Sequence, residues 1–258
     1  MENNLIEYGV SKLKQSNIDT SLASYLYKYL DDLSIYKEAI EKLTKGIPVQ
    51  YIIGNVEFFG LKFNVNNNVL IPRFETEELV EKSIKYISKF FDKKVDIVDI
   101  GTGSGCIAIS IKKNLPCNMD AVDISLDALK VAKNNAKELN ADITFYNGDL
   151  LKPLTKKYDV IISNPPYISM DEEIMDIVKE NEPHLALYAD NNGLQKYEEI
   201  LKNAKNYLNN KSMIIFEIGE SQGVRIKEIA LYHFPNCKIK IEKDMQGRDR
   251  FIFIFNEV

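Results

Sequence analysis

The chain of 258 residues has no tryptophan, three cysteines and two histidines. Cys106, Cys117 and Cys237 are odd in number and widely scattered. That pattern argues against a disulfide framework and a cysteine-rich zinc site, and it fits a reducing, cytoplasmic setting. With only His184 and His233, neither a His-rich metal site nor a Ser-His-Asp triad is expected, so no metal is assigned. No run of about 18 apolar residues occurs, so no membrane span is expected. The opening Met1-Glu2-Asn3-Asn4-Leu5 lacks the basic-then-apolar order of a signal peptide. Positive charge is also in short supply, with 33 Lys and Arg against 38 Asp and Glu and a net charge of −5. No long basic block compensates, so stable nucleic-acid binding is not expected. Internal repeats and low-complexity linkers are missing too. The 45% hydrophobic content suffices for one large domain with a small appendage.

Residues 1–46 read as helical and separate. Leu22, Tyr25, Leu26, Leu30 and Leu33 recur at helical spacing. Ser34 is placed to cap a second helix carrying Ala39, Ile40 and Leu43, which Gly46 ends. Such a layer either packs on the main domain or docks a macromolecular substrate. Residues 47–72 change to a strand pattern and form a hairpin linker. Val56 to Phe59, Gly60, then Leu61 to Val65 predict two strands and a turn. Val69 to Ile71 predicts a further short strand ended by Pro72. Thr76 is the expected N-cap of a helix whose buried face holds Leu79, Val80, Ile84 and Ile87.

From residue 73 to 258 the pattern alternates strand and helix. Val95 to Ile100, Met119 to Val122, Ile143 to Tyr146, Val160 to Ser163 and Ser212 to Ile218 read as strands, with Lys238 to Ile241 and Phe251 to Phe255 as a closing pair. The first strand runs into Gly101-Thr102-Gly103-Ser104-Gly105, then an apolar helix. Glycines at that junction let a ligand approach the backbone closely. The glycine turn alone is shared by nicotinamide, flavin and nucleotide enzymes. Here Cys106 stands where the dinucleotide fingerprint wants a third small residue, and no Lys-Ser or Lys-Thr follows to hold a triphosphate. Asp123 ends the second strand, where an acid suits the hydroxyls of a ribose. Asp149 and Leu150 follow the third strand, and Asn164-Pro165-Pro166-Tyr167 the fourth. The double proline stops the strand rigidly. A neutral amide, prolyl carbonyls and a ring make a cradle for a planar –NH2 group, without a strong base or nucleophile. All four features lie at carboxyl ends of strands, the ligand-binding edge of an open α/β sheet.

On these residues the chain resembles the class I S-adenosylmethionine-dependent methyltransferases. More narrowly, it resembles the bacterial release-factor glutamine methyltransferases. The specific marks are Ile71-Pro72-Arg73-Phe74-Glu75-Thr76-Glu77, Asp99 to Gly105, Asn164 to Tyr167, Glu182-Pro183 with Ala186-Leu187, and Glu217-Ile218-Gly219. The N-terminal helical part is shorter than in that family, Phe74 stands where proline is common, and Leu150 where an aromatic can flank adenine. The resemblance implies a Rossmann-like α/β fold with a mixed seven-stranded sheet and helices on both faces. It implies S-adenosyl-L-methionine as cofactor, S-adenosyl-L-homocysteine as product and peptide chain release factors as protein substrate, handled by a monomer. By the same resemblance Gly101, Thr102, Gly103, Ser104 and Gly105 pass under the methionine part of the cofactor. Asp123 takes the ribose hydroxyls, and Asp149 with Leu150 borders the adenine. Asn164 and the Pro165 carbonyl hold the substrate glutamine amide beside the cofactor, with Pro166 and Tyr167 completing the cradle. Arg73 and Glu77 support the pocket mouth on the substrate side, while Glu182 and Glu217 either touch ligand or brace the sheet edge. The rival within enzymes is methylation of an exocyclic amine on a nucleobase in RNA or DNA. A silent S-adenosylmethionine-binding docking protein and a nicotinamide oxidoreductase fit the intact Asn-Pro-Pro-Tyr segment less well.

Overall fold

The computed structural model describes residues 2–257. Its main sheet has seven strands: β3 (Val95–Ile100), β4 (Cys117–Asp123), β5 (Thr144–Asn147), β6 (Tyr158–Ser163), β7 (Leu208–Glu217), β8 (Lys238–Lys243) and β9 (Asp249–Glu257). A separate hairpin precedes them, β1 (Asn55–Phe58) and β2 (Leu61–Asn64). The order across the sheet is β5-β4-β3-β6-β7-β9-β8, with β3 to β7 parallel and β9 antiparallel between β7 and β8.

The central strands are buried on both faces, which is why they read as continuous apolar runs rather than alternations. Successive side chains still point to opposite sides. Ile97, Val160 and Ile162 enter one core with the hairpin residues Phe58 and Phe63 and the helix Phe74–Phe90. Val98, Ile161 and Ile214 enter the other, against the helices Gln195–Ala204 and Gly223–His233. The chain moves one way from β3 to β4 and returns on the other side at β6, so the order reverses between β3 and β6. A crevice opens at the carboxyl ends of strands at such a reversal.

The N-terminal helices Glu2–Gln15, Ser21–Tyr29 and Tyr36–Thr44 share a core of their own, built on Leu13, Ala23, Leu26, Tyr36, Ile40 and Leu43. Ser34 is not the cap expected of it. Ser34 lies inside a short 3-10 turn, Leu33–Ile35, whose start is capped by Asp32 accepting from the Ser34 N–H; the turn runs straight into the helix Tyr36–Thr44, which has Ile35 at its cap position and no side-chain cap. The hairpin turn is Phe59-Gly60, both residues left-handed, as a two-residue connection requires. Two stretches expected as strands differ. Val49–Ile53 is a single helical turn set off by Pro48 and closed by Gly54 in the left-handed region. Val69 to Ile71 forms no ladder; Val69 and Ile71 are buried in an irregular crossing segment. Thr76 also does not cap its helix. The helix starts at Phe74 with Arg73 at the cap position, and Thr76 lies inside its first turn. The helices at Asp176–Asn181, His184–Leu187 and Gln195–Ala204 were not anticipated from sequence.

Candidate active site

Strand register brings the key segments together. Ile100 of β3 pairs with Ser163 of β6, and Ser163 pairs in turn with Phe216 of β7. Gly101 and Asn164 are the next residues along and Glu217 is the last of β7, so the three stand at the ends of adjacent strands at one level, neighbours roughly 5 Å apart. The glycine turn and the Asn-Pro-Pro-Tyr segment therefore flank the same crevice.

The glycine turn is anchored sideways onto β4. The N–H groups of Gly101 and Thr102 both donate to the Val122 carbonyl, at 2.9 and 3.0 Å. Gly101 and Gly103 are left-handed, at φ 74° and 55°, and a Cβ added at either would meet nothing within 4 Å. The backbone thus faces open space, as close approach by a ligand requires. Asp123 closes the turn from the neighbouring strand. Its Oδ2 accepts from Gly103 N at 2.8 Å and its Oδ1 from Ser125 N at 2.9 Å. Burial pushes the Asp123 carboxyl above its ordinary value, opposed by the Ser125, Gly103 and Ile124 amides. Beneath the turn, Asp99 is fully buried and accepts from the Thr102 hydroxyl at 2.6 Å. Burial pushes its carboxyl up to about 7, opposed by the Thr102 hydrogen bond and assisted by the charge of Asp123.

The end of β5 is stitched to the end of β4. Gly148 N and Asn147 Nδ2 both donate to the Asp123 carbonyl, at 3.1 and 3.0 Å. This brings Asp149 and Leu150 to the Asp123 side of the crevice. Asp149 pairs with Lys152 at the surface. Leu150 sits left-handed at φ 51° and packs at the edge of the core that holds Tyr146 and Tyr167.

In the cradle, Asn164 is half-buried and Pro165 buried, with Pro166 and Tyr167 half-buried beside them. Asn164 Nδ2 donates to Thr76 Oγ1 at 3.3 Å, and the Thr76 hydroxyl donates to Glu217 Oε2 at 2.8 Å. The Tyr167 carbonyl is held by Gln222 Nε2 at 3.0 Å. Burial, with the charge of Glu217, pushes the Tyr167 phenol up to about 12, so it keeps its proton at neutral pH.

Arg73 does not stand free in the mouth. It pairs with Glu182 at 2.6 Å and keeps 35% of its side chain exposed. Glu182 also accepts from Ile71 N at 3.1 Å, so it braces the irregular crossing segment. Sequence reasoning missed the coupling of Thr76 and Glu217 to Asn164. Both residues stand in the motifs singled out, but only the β6–β7 register and the position of the helix Phe74–Phe90 put them in contact.

A family model described as methyltransferase small domain matches residues 77–186. The release factor glutamine methyltransferase of Bacillus subtilis (strain 168) is 44% identical over 230 residues, covering 86% of this chain and 80% of that protein. The protein of the same description from Enterococcus faecalis is 44% identical over 218 residues, covering 83% and 78%. Among solved structures, a Thermus thermophilus 16S rRNA methyltransferase in complex with AdoMet and guanosine superposes with a TM-score of 0.59 at 13% identity. The match covers 79% of this chain and 50% of that one, and it is a likeness of fold.

Proposed function

The chain belongs to the release factor glutamine methyltransferase family, and we propose on that basis that it methylates the side-chain amide nitrogen of the glutamine in a Gly-Gly-Gln segment of peptide chain release factors, with S-adenosylmethionine as donor. The observation that carries this reading is the register that sets Asn164 and Gly101 side by side at the β3–β6 reversal. A methyl donor under the glycine turn and an amide against Asn164 then share one crevice.

The residues present fit that donor. The open left-handed glycines at 101 and 103 leave room against the backbone for the methionine part. Asp123 offers carboxylate oxygens for ribose hydroxyls, and Asp149 with Leu150 borders the adenine side. S-adenosylmethionine, when bound, supplies an activated methyl group on a sulfonium. An amide nitrogen is a weak nucleophile, so this chain's task is to hold it in line at near-attack distance, roughly 3–3.5 Å. Asn164 Oδ1 and the Pro165 carbonyl accept the two amide hydrogens, and that favours the positive charge that grows on nitrogen. Tyr167 packs against the flat amide. The Tyr167 phenol retains its proton and takes none from the product, whose acidic N–H is lost to water. Arg73, held by Glu182, supports the substrate side of the mouth.

The helices of residues 1–46 belong to the same proposal as a docking layer for the release factor. Tyr25, Tyr29, Leu33 and Ile35 are exposed on them, an apolar surface suited to a protein partner. Release factors act in the cytoplasm, and the free thiols of Cys106, Cys117 and Cys237 support that setting. No helix among the described residues is long and apolar enough to cross a membrane.

The test is incubation with methyl-labelled S-adenosylmethionine and either purified release factors or total RNA. Label on the glutamine of a Gly-Gly-Gln peptide supports the reading. Label confined to RNA overturns it in favour of nucleobase methylation.

A further inference from the structure

We propose that Thr76 and Glu217 are positioning residues that lock the polarity of the Asn164 amide, consuming its N–H side so that only its carbonyl oxygen faces the acceptor. The inference rests on the methyl-transfer reading above and deepens it, because it explains why the pocket receives an –NH2 group and not a carbonyl.

The argument runs from the far end of the chain of contacts. Glu217 is 2% exposed and Thr76 3%. An ionised carboxylate has no proton to give, so the Thr76 hydroxyl, at 2.8 Å, must donate its single hydrogen to Glu217 Oε2. Only lone pairs then remain on Thr76 Oγ1, and the Asn164 atom 3.3 Å away must be the –NH2. The Asn164 side chain also favours the charged form of the Glu217 carboxylate. While Glu217 is ionised, the direction Asn164 to Thr76 to Glu217 is imposed, and Asn164 Oδ1 takes no part in it. Turned the other way, the asparagine would present hydrogens to a substrate –NH2, and the acceptor would be refused.

The framework that holds Glu217 leaves it little freedom. Its backbone carbonyl accepts from the Tyr197 hydroxyl at 2.8 Å. Arg250 from β9 and Glu75 from the helix Phe74–Phe90 act on its charge with opposite signs, and Tyr167, Tyr197 and Cys106 are the other titratable groups that feel it. Burial is the largest influence and pushes its carboxyl up to about 7. Below that pH a protonated Glu217 can donate to Thr76, and the direction of the chain is no longer imposed.

The experiment compares Thr76→Val, Thr76→Ser and Glu217→Gln with the parent enzyme, using S-adenosylmethionine and a Gly-Gly-Gln peptide. Thr76→Val keeps the shape and removes the acceptor. Glu217→Gln places an –NH2 where one of two acceptor oxygens stood. Both are expected to lower kcat at least about tenfold, the scale of misplacing a reacting group. Affinity for S-adenosylmethionine should stay within about threefold, less than one hydrogen bond is worth. Thr76→Ser should recover most of the loss. The parent kcat should fall on the acid side of about pH 7, and Glu217→Gln should lack that limb. Wild-type kcat in Thr76→Val, equal losses of cofactor affinity and kcat, or no recovery in Thr76→Ser would each overturn the lock. A wrong substrate assignment shows differently: the parent enzyme itself would then fail to label the peptide.

Discussion

The Ser163 hydroxyl donates to the Ile100 carbonyl at 2.6 Å, at the last paired rung before Asn164 and Gly101 leave their strands. Ser163 is fully buried. At the end of a parallel ladder the outermost carbonyl runs out of strand partners, and a buried one left unmade is costly. Here the side chain takes over that bond and ties the acceptor strand to the donor strand at the level where the chemistry is placed.

Ser163→Ala should therefore cost about 1–3 kcal/mol, the penalty for leaving a buried carbonyl unpaired. It should also loosen the spacing between the two sides of the crevice and lower kcat several-fold. Urea unfolding and steady-state methylation check the two effects. Unchanged stability would mean that the carbonyl finds another partner and that the bond sets no spacing.

Asn164→Ala removes the acceptor oxygen on which the amide is oriented. The expected loss in kcat is on the order of 10²–10³, as for deletion of one preorganised polar group at a transition state. Cofactor binding, measured by calorimetry, should change little, since the glycine turn is anchored on Val122 and Asp123. Asn164→Asp should fare no better, because it sets a second carboxylate against Glu217 and leaves Thr76 with no donor. An alanine variant that turns over near the parent rate would remove Asn164 from the mechanism.

The parts of this fold visible in the sequence were those with local causes. Apolar runs ending in Gly101, Asp123 and Asn164 marked the parallel strands, and glycine and proline marked where they stop. The hairpin about Gly60 was visible for the same reason. The readings that failed depended on neighbours distant in the chain. Thr76 has the composition of an N-cap, yet the helix begins earlier and delivers its hydroxyl to Glu217, 141 residues away. Val69 to Ile71 has strand composition but no strand beside it, and Glu182, 111 residues on, holds the Ile71 N–H instead. Ser34 is taken into a 3-10 turn that Asp32 caps, so the helix Tyr36–Thr44 starts one residue later than a Ser34 cap would give and has Ile35 at that position.

Asp123→Asn tests the cofactor side. The carboxylate accepts from two backbone amides and is the group offered to the ribose. An amide can keep one of those bonds while turning a donor toward the other. The apparent affinity for S-adenosylmethionine should fall roughly tenfold or more, on the scale of a charged hydrogen bond worth about 1.5–3 kcal/mol. At saturating cofactor, kcat should be largely retained. An unchanged KM for the cofactor together with a lost kcat would move Asp123 from binding to chemistry.

The stability of the protein should decline as the pH rises from 5.5 to 8, the opposite of the common trend for paired acids. Asp99 and Glu217 are both fully buried and both pushed up to about 7 from ordinary values of 3.8 and 4.5. The folded state therefore holds these protons to higher pH than the unfolded chain. Their contribution is fully present below the unfolded values and is lost as pH rises through the folded ones. Each unit of difference is worth about 1.4 kcal/mol, and only the part between pH 5.5 and about 7 falls in this window, so the two together lose a few kcal/mol across it. Acids held low, such as Glu242 at about 2 with Asp159 and Asp244, act only at more acid pH. His233, pushed down by burial, works in the other direction but lies near the surface. The urea midpoint should thus be higher at pH 5.5 than at pH 8, and Asp99→Asn should flatten part of the slope. A midpoint that is level or rises over that range would show that neither acid keeps its proton. The same titration has the reverse effect on turnover. Ionised Glu217 forces the direction of the Asn164 amide, so the pH that costs the fold stability is the pH at which the acceptor site is set.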